Sequence, residues 1–100
     1  MGARTVDFTP EAEHEAREAF RWYLERDPSA GDRFEQLFIQ AIVRIAEAPD
    51  QGAEIEPGIR RWLLPPFPYA ILYEASPESV LVLTVMHTRR RPGYWRGRGR

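Results

Sequence analysis

The sequence predicts an α+β domain in which a helical hairpin packs on one face of a small, mostly antiparallel sheet. Two amphipathic segments with helical spacing fill residues 9–48, and strand-like runs separated by prolines follow them. A chain of 100 residues suits one hydrophobic core, so we expect a single domain at residues 1–95. Residues 96–100, rich in arginine and glycine, are expected to fray as a tail. The expected order of elements is β-α-α-β-β-β.

The N-terminal region predicts a short strand and then a helix. Residues 5–8 alternate and carry β-formers. Thr9 is a suitable N-cap and Pro10 suits the first helical position. The helix ends at Asp27, because a residue before proline is disfavoured in the helical region. Its apolar stripe consists of Ala12, Ala16, Ala19, Phe20, Tyr23 and Leu24.

A second helix is predicted from about Ser29 to Ala48, and the short link makes the two helices an antiparallel hairpin. Ile39 and Val43 lie off its main apolar stripe, so they are apolar without an evident place in the core. The stripe itself consists of Phe34, Leu37, Phe38, Ala41, Ile42 and Ile45.

The rest of the chain predicts three strands, at Ile59–Leu64, Tyr69–Glu74 and Ser79–His87. The last run is apolar on both faces, which indicates a central strand. Strict alternation places Val80, Val82, Thr84 and Met86 on one of its faces and Leu81, Leu83, Val85 and His87 on the other.

Several classes of protein are excluded by composition. The chain has no cysteine, so it has no disulfide framework and no thiolate metal site. Its longest apolar run is far shorter than a membrane span needs, and its N-terminus lacks the apolar region of a secretory signal. We therefore expect a cytoplasmic protein without cofactor or metal.

The formal net charge of −1 hides an asymmetry. Residues 1–56 contain 13 acidic residues and 6 arginines, whereas residues 57–100 contain 2 acidic residues and 8 arginines. Such a division indicates a basic surface for a polyanion or an acidic partner. The carboxylates of the first helix are interpreted as a solvated face, and they are Glu11, Glu13, Glu15 and Glu18.

The basic half carries the candidate chemistry. Arg60 and Arg61 are adjacent in a strand and point to opposite faces, so they do not both serve one site. One of them, a tyrosine, His87 and the following arginines can converge near one edge of the sheet. Such a set suits a phosphate-bearing ligand, with His or Tyr moving a proton. The alternatives are a strand-end hydrogen bond for His87, a solvated tail for the arginines and ordinary packing for the aromatic residues.

The order of elements and several local motifs resemble the RelE/ParE family of type II toxin–antitoxin toxins. The resemblance extends from Val6 to Trp95. The motifs that carry it are Val6–Ala12, Trp22-Tyr23, Ala46–Pro49, Gly58–Leu64, Phe67–Tyr73 and Val82–Trp95.

This resemblance implies a small toxin that a cognate antitoxin holds inactive, with the antitoxin packing on the helical hairpin and the sheet. Ile39, Val43 and Trp22 are then expected to contact the antitoxin, and the alternative for the first two is packing under a loop of this chain. Expected contacts with a target or a nucleic acid are Arg60, Tyr73, Arg89 and Arg90.

The resemblance leaves the target open. RelE-like members cut mRNA at the ribosome with basic residues, but this chain has no lysine. Arg61, His87 and Tyr94 can stand in as the catalytic set of a ribonuclease. The ending Pro92–Trp95 is more similar to ParE-like members, which poison DNA gyrase by contact, and we favour that interpretation. A third possibility is a non-toxic family member that only binds its antitoxin.

Overall fold

The computed structural model describes residues 3–99 and confirms the α+β class. A short 3₁₀ turn at Pro49–Gln51 follows the helical hairpin. The helices and strands of this part of the chain are β1 (Thr5–Phe8), α1 (Pro10–Arg26), α2 (Pro28–Glu47), β2 (Ala53–Glu56), β3 (Ile59–Leu63), β4 (Tyr69–Ala75) and β5 (Ser79–His87).

The strands form one sheet in the order β1-β5-β4-β3-β2. β1 pairs with β5 in parallel, and the other pairs are antiparallel. β5 lies between β1 and β4 and is buried along most of its length, as its two apolar faces predict. The sheet therefore presents two extended faces, one to the helices and one away from them.

The edge strand β2 is an element that the sequence pattern did not predict. Its sequence is Ala-Glu-Ile-Glu, and it has neither a buried face nor a run of β-formers. It forms by pairing with β3, where Ala53 lies opposite Arg61 and Glu54 lies opposite Arg60. Charged residues on a short edge strand are typical, because they discourage pairing with another chain.

The helices begin and end where the capping residues predict. The Thr9 side chain accepts a hydrogen bond from the Ala12 N–H at 3.0 Å, and Asp27 does the same for Ser29 at 3.0 Å. Gly31 lets the two helices approach closely, because a Cβ there would lie 2.8 Å from the Cα of Leu24. Within the described residues, neither helix is long and apolar enough to cross a membrane.

The main core lies between the hairpin and the sheet. Phe34 and Ile45 of α2 are almost fully buried against Ile71 and Val85. Tyr23 stacks on Phe34 with ring centroids 5.4 Å apart, and other aromatic rings extend the cluster. This packing fixes the hairpin on one face of the sheet, as predicted.

A second core covers the opposite face of the sheet. The chain after β5 folds back and buries Trp95 against Leu72, Leu81 and Leu83. Of residues 96–100, which were expected to fray as a tail, Arg96 and Arg98 contact the body of the protein, and residue 100 lies outside the described residues.

A bulge in β5 corrects the predicted alternation. Leu72 lies opposite Thr84 and Tyr73 lies opposite Val82, so Leu83 has no partner between them. One extra residue shifts the period of two, and Val85 joins Val80 and Val82 in the core under the helices. Strict alternation had placed Val85 on the other face.

Candidate functional site

Two grooves flank the end of β5, and Arg90 lines both of them. Each has a volume of about 340 Å³. The sheet-face groove lies beside the second core and is lined by Arg61, Leu63, Met86, Arg90, Trp95 and Arg96, among others. The helix-side groove lies beside α1 and is lined by His14, Trp22, Tyr69, Met86, His87 and Arg90, among others.

The three residues expected to form a ribonuclease centre face different parts of the molecule. Arg61 lies opposite Leu72 on the sheet face that Trp95 covers. His87 lies in the helix-side groove, with its ring 5.4 Å from that of Tyr69, and its Nδ1 accepts a hydrogen bond from the Arg89 N–H. The Tyr94 hydroxyl is bonded inside the protein. The structure therefore does not bring Arg61, His87 and Tyr94 together.

Tyr94 belongs to a hydrogen-bond network centred on Glu15. The Glu15 carboxylate accepts hydrogen bonds from the Tyr94 hydroxyl at 3.0 Å, the Thr84 hydroxyl at 2.8 Å and the Val85 N–H at 3.2 Å. Burial raises the pKa of the Tyr94 phenol most, the neighbouring Glu15 carboxylate raises it further, and the nearby Thr84 hydroxyl lowers it. The phenol therefore stays protonated at neutral pH.

Glu15 was predicted to lie on a solvated face, and this prediction is wrong. Its side chain is only 16% exposed and forms an ion pair with Arg98 at 3.0 Å. A sequence signal was present, because Glu15 lies three residues after Ala12 and four before Ala19, within the apolar stripe. A carboxylate on that stripe needs a partner, and Arg98 is 83 residues away in sequence.

Two arginines of the expected tail contact the body of the domain. Arg98 Nη1 donates both to Glu15 and to the carbonyl oxygen of Leu83 at 3.1 Å. Arg96 forms an ion pair with Glu56 of β2. The C-terminal segment is thus joined to α1, β5 and β2.

Tyr73 was expected to contact a target, and its position corrects that expectation. The side chain is 0% exposed, and its hydroxyl donates to the carbonyl oxygen of Pro49 at 2.6 Å. Arg60 Nη1 donates to the carbonyl oxygen of Gly52 at 2.7 Å in the same region. Both residues hold the chain between α2 and β2, and a target contact by Arg60 stays a prediction.

Arg89, Arg90 and Arg91 are exposed after β5 and form the basic surface that the charge division predicted. The guanidinium of Arg90 lies 3.9 Å from the centroid of the Tyr94 ring. Arg90 is therefore the arginine of this group whose orientation is supported by an aromatic platform.

The hairpin exposes apolar side chains on both helices. Ile39 and Val43 are 55% and 50% exposed and lie one helical turn apart on α2. Trp22 of α1 is 49% exposed, with the Arg26 guanidinium 3.7 Å from its ring centroid. Packing under a loop therefore does not account for Ile39 and Val43, whereas their contact with an antitoxin stays a prediction.

Metal-ligating side chains are not clustered in the part of the chain that the structure describes. No group of three or more histidine, aspartate and glutamate side chains is gathered there in a position to hold a metal ion.

The fold is shared with a chain of a solved structure. It is similar to a chain of the structure titled "Chromosomal ParDE TA system from P. aeruginosa", with a TM-score of 0.70 and 16% sequence identity. The match covers 85% of this chain and 96% of that one.

The sequence places the chain in its family. The sequence-family model described as the ParE toxin of type II toxin–antitoxin systems matches residues 6–92, so the chain belongs to the ParE toxin family. Toxin ParE2 of Mycobacterium tuberculosis is 34% identical over 76 residues, which are 75% of this chain and 72% of that protein. Toxin RelE3 of Caulobacter vibrioides is 26% identical over 90 residues, covering 88% and 98%. The resemblance to RelE/ParE toxins is thereby confirmed.

Proposed function

We propose that this chain is a ParE-like toxin that inhibits DNA gyrase by contact and is neutralised by a cognate antitoxin in the cytoplasm. The observation that carries the choice of mechanism is the separation of Arg61, His87 and Tyr94. A general acid or base must reach the proton that it transfers, either directly or through one water molecule. Two of the three candidates face opposite sides of the sheet, and the hydroxyl of the third donates to Glu15.

The test combines two assays on the same protein. Purified toxin at micromolar concentration should inhibit supercoiling by gyrase or accumulate its cleavage complexes. Transcripts from cells induced for the toxin should show no codon-positioned cuts. Unchanged gyrase activity would refute the proposal.

The antitoxin is proposed to bind the hairpin through Ile39, Val43 and Trp22. Half-exposed apolar side chains at positions i and i+4 suit the apolar face of an amphipathic segment. An acidic stretch of the same partner is expected to meet Arg89 and Arg90, which would make binding weaker at high salt. The expected assembly is a hetero-oligomer of toxin and antitoxin.

A RelE-like endoribonuclease is the second candidate. The observation that favours it is the helix-side groove, in which His87, Tyr69 and Arg90 lie together. It predicts codon-positioned cuts in mRNA that disappear in His87→Ala, with the fold unchanged. Intact transcripts during growth arrest would exclude it. Normal growth after expression without antitoxin would indicate instead a family member that harms nothing.

A further inference from the structure

Glu15 lies where α1 meets the C-terminal strap, which we define as residues 93–99. We propose that Glu15 is a positioning residue that seats this strap and, through Tyr94, orients Arg90 on the basic surface. The proposal deepens the proposed function and rests on it, because the orientation of Arg90 matters only if this surface meets the target.

The contacts explain why a carboxylate is required at this position. Glu15 accepts from donors of two regions that are both far from it in sequence, β5 at Thr84 and Val85 and the strap at Tyr94 and Arg98. The Glu15 and Arg98 side chains are 16% and 15% exposed, so the pair is mostly removed from water. A neutral residue at position 15 would leave the Arg98 charge in this site without its counter-ion.

The other ion pairs of α1 differ in kind. Glu13 pairs with Arg17 and Glu18 pairs with Arg21, and all four of these side chains are more than half exposed. Exposed pairs of this type contribute little to stability. Glu13 is therefore a matched control for Glu15, since it lies on the same helix and carries the same group.

The link to Arg90 passes through the Tyr94 ring. The Tyr94 hydroxyl donates to Glu15 and lies 2.7 Å from the Thr84 hydroxyl, and the partly buried ring packs against the second core, which together fix its position. The guanidinium of Arg90 lies 3.9 Å from the ring centroid, and that of Arg98 lies 5.1 Å from it. Loss of the Glu15 charge releases Arg98 and loosens the ring, and Arg90 then loses its platform.

The first experiment measures amide hydrogen exchange in the full chain for E15Q, with E13Q as the control. The Arg96 and Arg98 amides bond to the carbonyl oxygens of Gly93 and Trp95, so they report on the strap. We expect these amides to exchange about tenfold faster in E15Q, with β4 amides unchanged and E13Q like the wild type. Arg98→Gln should reproduce the effect from the other partner. Unchanged exchange in both variants would show that the packing of Trp95 alone seats the strap and would overturn the proposal.

The second experiment measures the toxin concentration that half-inhibits supercoiling by gyrase. We expect E15Q to raise it about tenfold and E13Q to leave it unchanged, because only E15Q frees Arg90. R90A should have at least the effect of E15Q, and the double variant should be no worse than R90A. Additive effects would show that Glu15 does not act through Arg90. If the wild type fails to inhibit gyrase, the proposed function is refuted, whereas the exchange experiment still decides whether Glu15 seats the strap.

Discussion

Tyr73→Phe separates a structural role from a role in target binding. The substitution removes one hydroxyl from a side chain that is 0% exposed. That hydroxyl donates to the carbonyl oxygen of Pro49 at 2.6 Å. Phenylalanine keeps the ring and its packing in the main core, so the change is confined to the hydrogen bond.

The expected cost follows from the groups left without a partner. Losing a buried hydrogen bond and leaving its acceptor unsatisfied costs about 2 kcal/mol. For a chain of this size, that loss lowers the melting temperature by about 10 °C. Thermal unfolding followed by circular dichroism measures the shift, and gyrase inhibition below the transition should match the wild type. An unchanged melting temperature together with lost gyrase inhibition would refute the structural role of Tyr73.

Gly52→Ala provides a coupled test of the same contact. A Cβ at position 52 would lie 2.1 Å from the Tyr73 hydroxyl oxygen and 3.0 Å from the carbonyl oxygen of Arg61. The alanine variant should therefore lose stability, and Tyr73→Phe should relieve the worse of the two contacts. The double variant is then expected to be more stable than the sum of the single effects predicts. Simple additivity would contradict the geometry.

Three further predictions concern the hairpin, the core and alkaline pH. Val43→Asp should raise the dissociation constant for the antitoxin, measured by calorimetry, by at least about tenfold without changing the stability of the toxin. The control Gln40→Asp, at an exposed neighbouring position, should leave this dissociation constant unchanged. Phe34→Ala should lower the free energy of unfolding, measured with denaturant, by about 4 kcal/mol, because the side chain is 2% exposed and packed among aromatic rings. A loss below about 1 kcal/mol would contradict its place in the core. Burial raises the pKa of Tyr69, Tyr73 and Tyr94 above their ordinary value of 10.0, so the unfolded chain ionises first as the pH rises. The contribution of these phenols to stability is complete below pH 10.0 and is lost as the pH rises above it. Melting temperatures measured between about pH 9 and 11 test this, and a melting temperature that does not fall over this range would contradict the burial of the phenols.

Local sequence signals were sufficient for the helices and the longer strands. Thr9 and Asp27 are capping residues that act on their immediate neighbours, so their effect is readable without tertiary structure. The central position of β5 was likewise predictable, because residues apolar on both faces must be covered on both faces.

Features that depend on distant residues were missed. β2 forms only because β3 offers it a partner, and the bulge at Leu83 appears only in the register with β4. The seating of the strap depends on Glu15 meeting Arg98 across 83 positions, which no local pattern reveals. The same limit applies to the site. The expected convergence of strand ends and the family resemblance grouped Arg61, His87 and Tyr94, whereas Arg61 and His87 lie on opposite faces of the sheet and the Tyr94 hydroxyl is bonded to Glu15.

Titration of the purified toxin into a gyrase supercoiling reaction tests the central claim most directly, with H87A and R90A measured beside the wild type. The account predicts inhibition by the wild type and an equal half-inhibiting concentration for H87A, because His87 has no catalytic role in a contact inhibitor. It predicts a higher concentration for R90A, since Arg90 is exposed on the basic surface and supported by Tyr94. A wild-type protein that leaves supercoiling unchanged at micromolar concentration would contradict it.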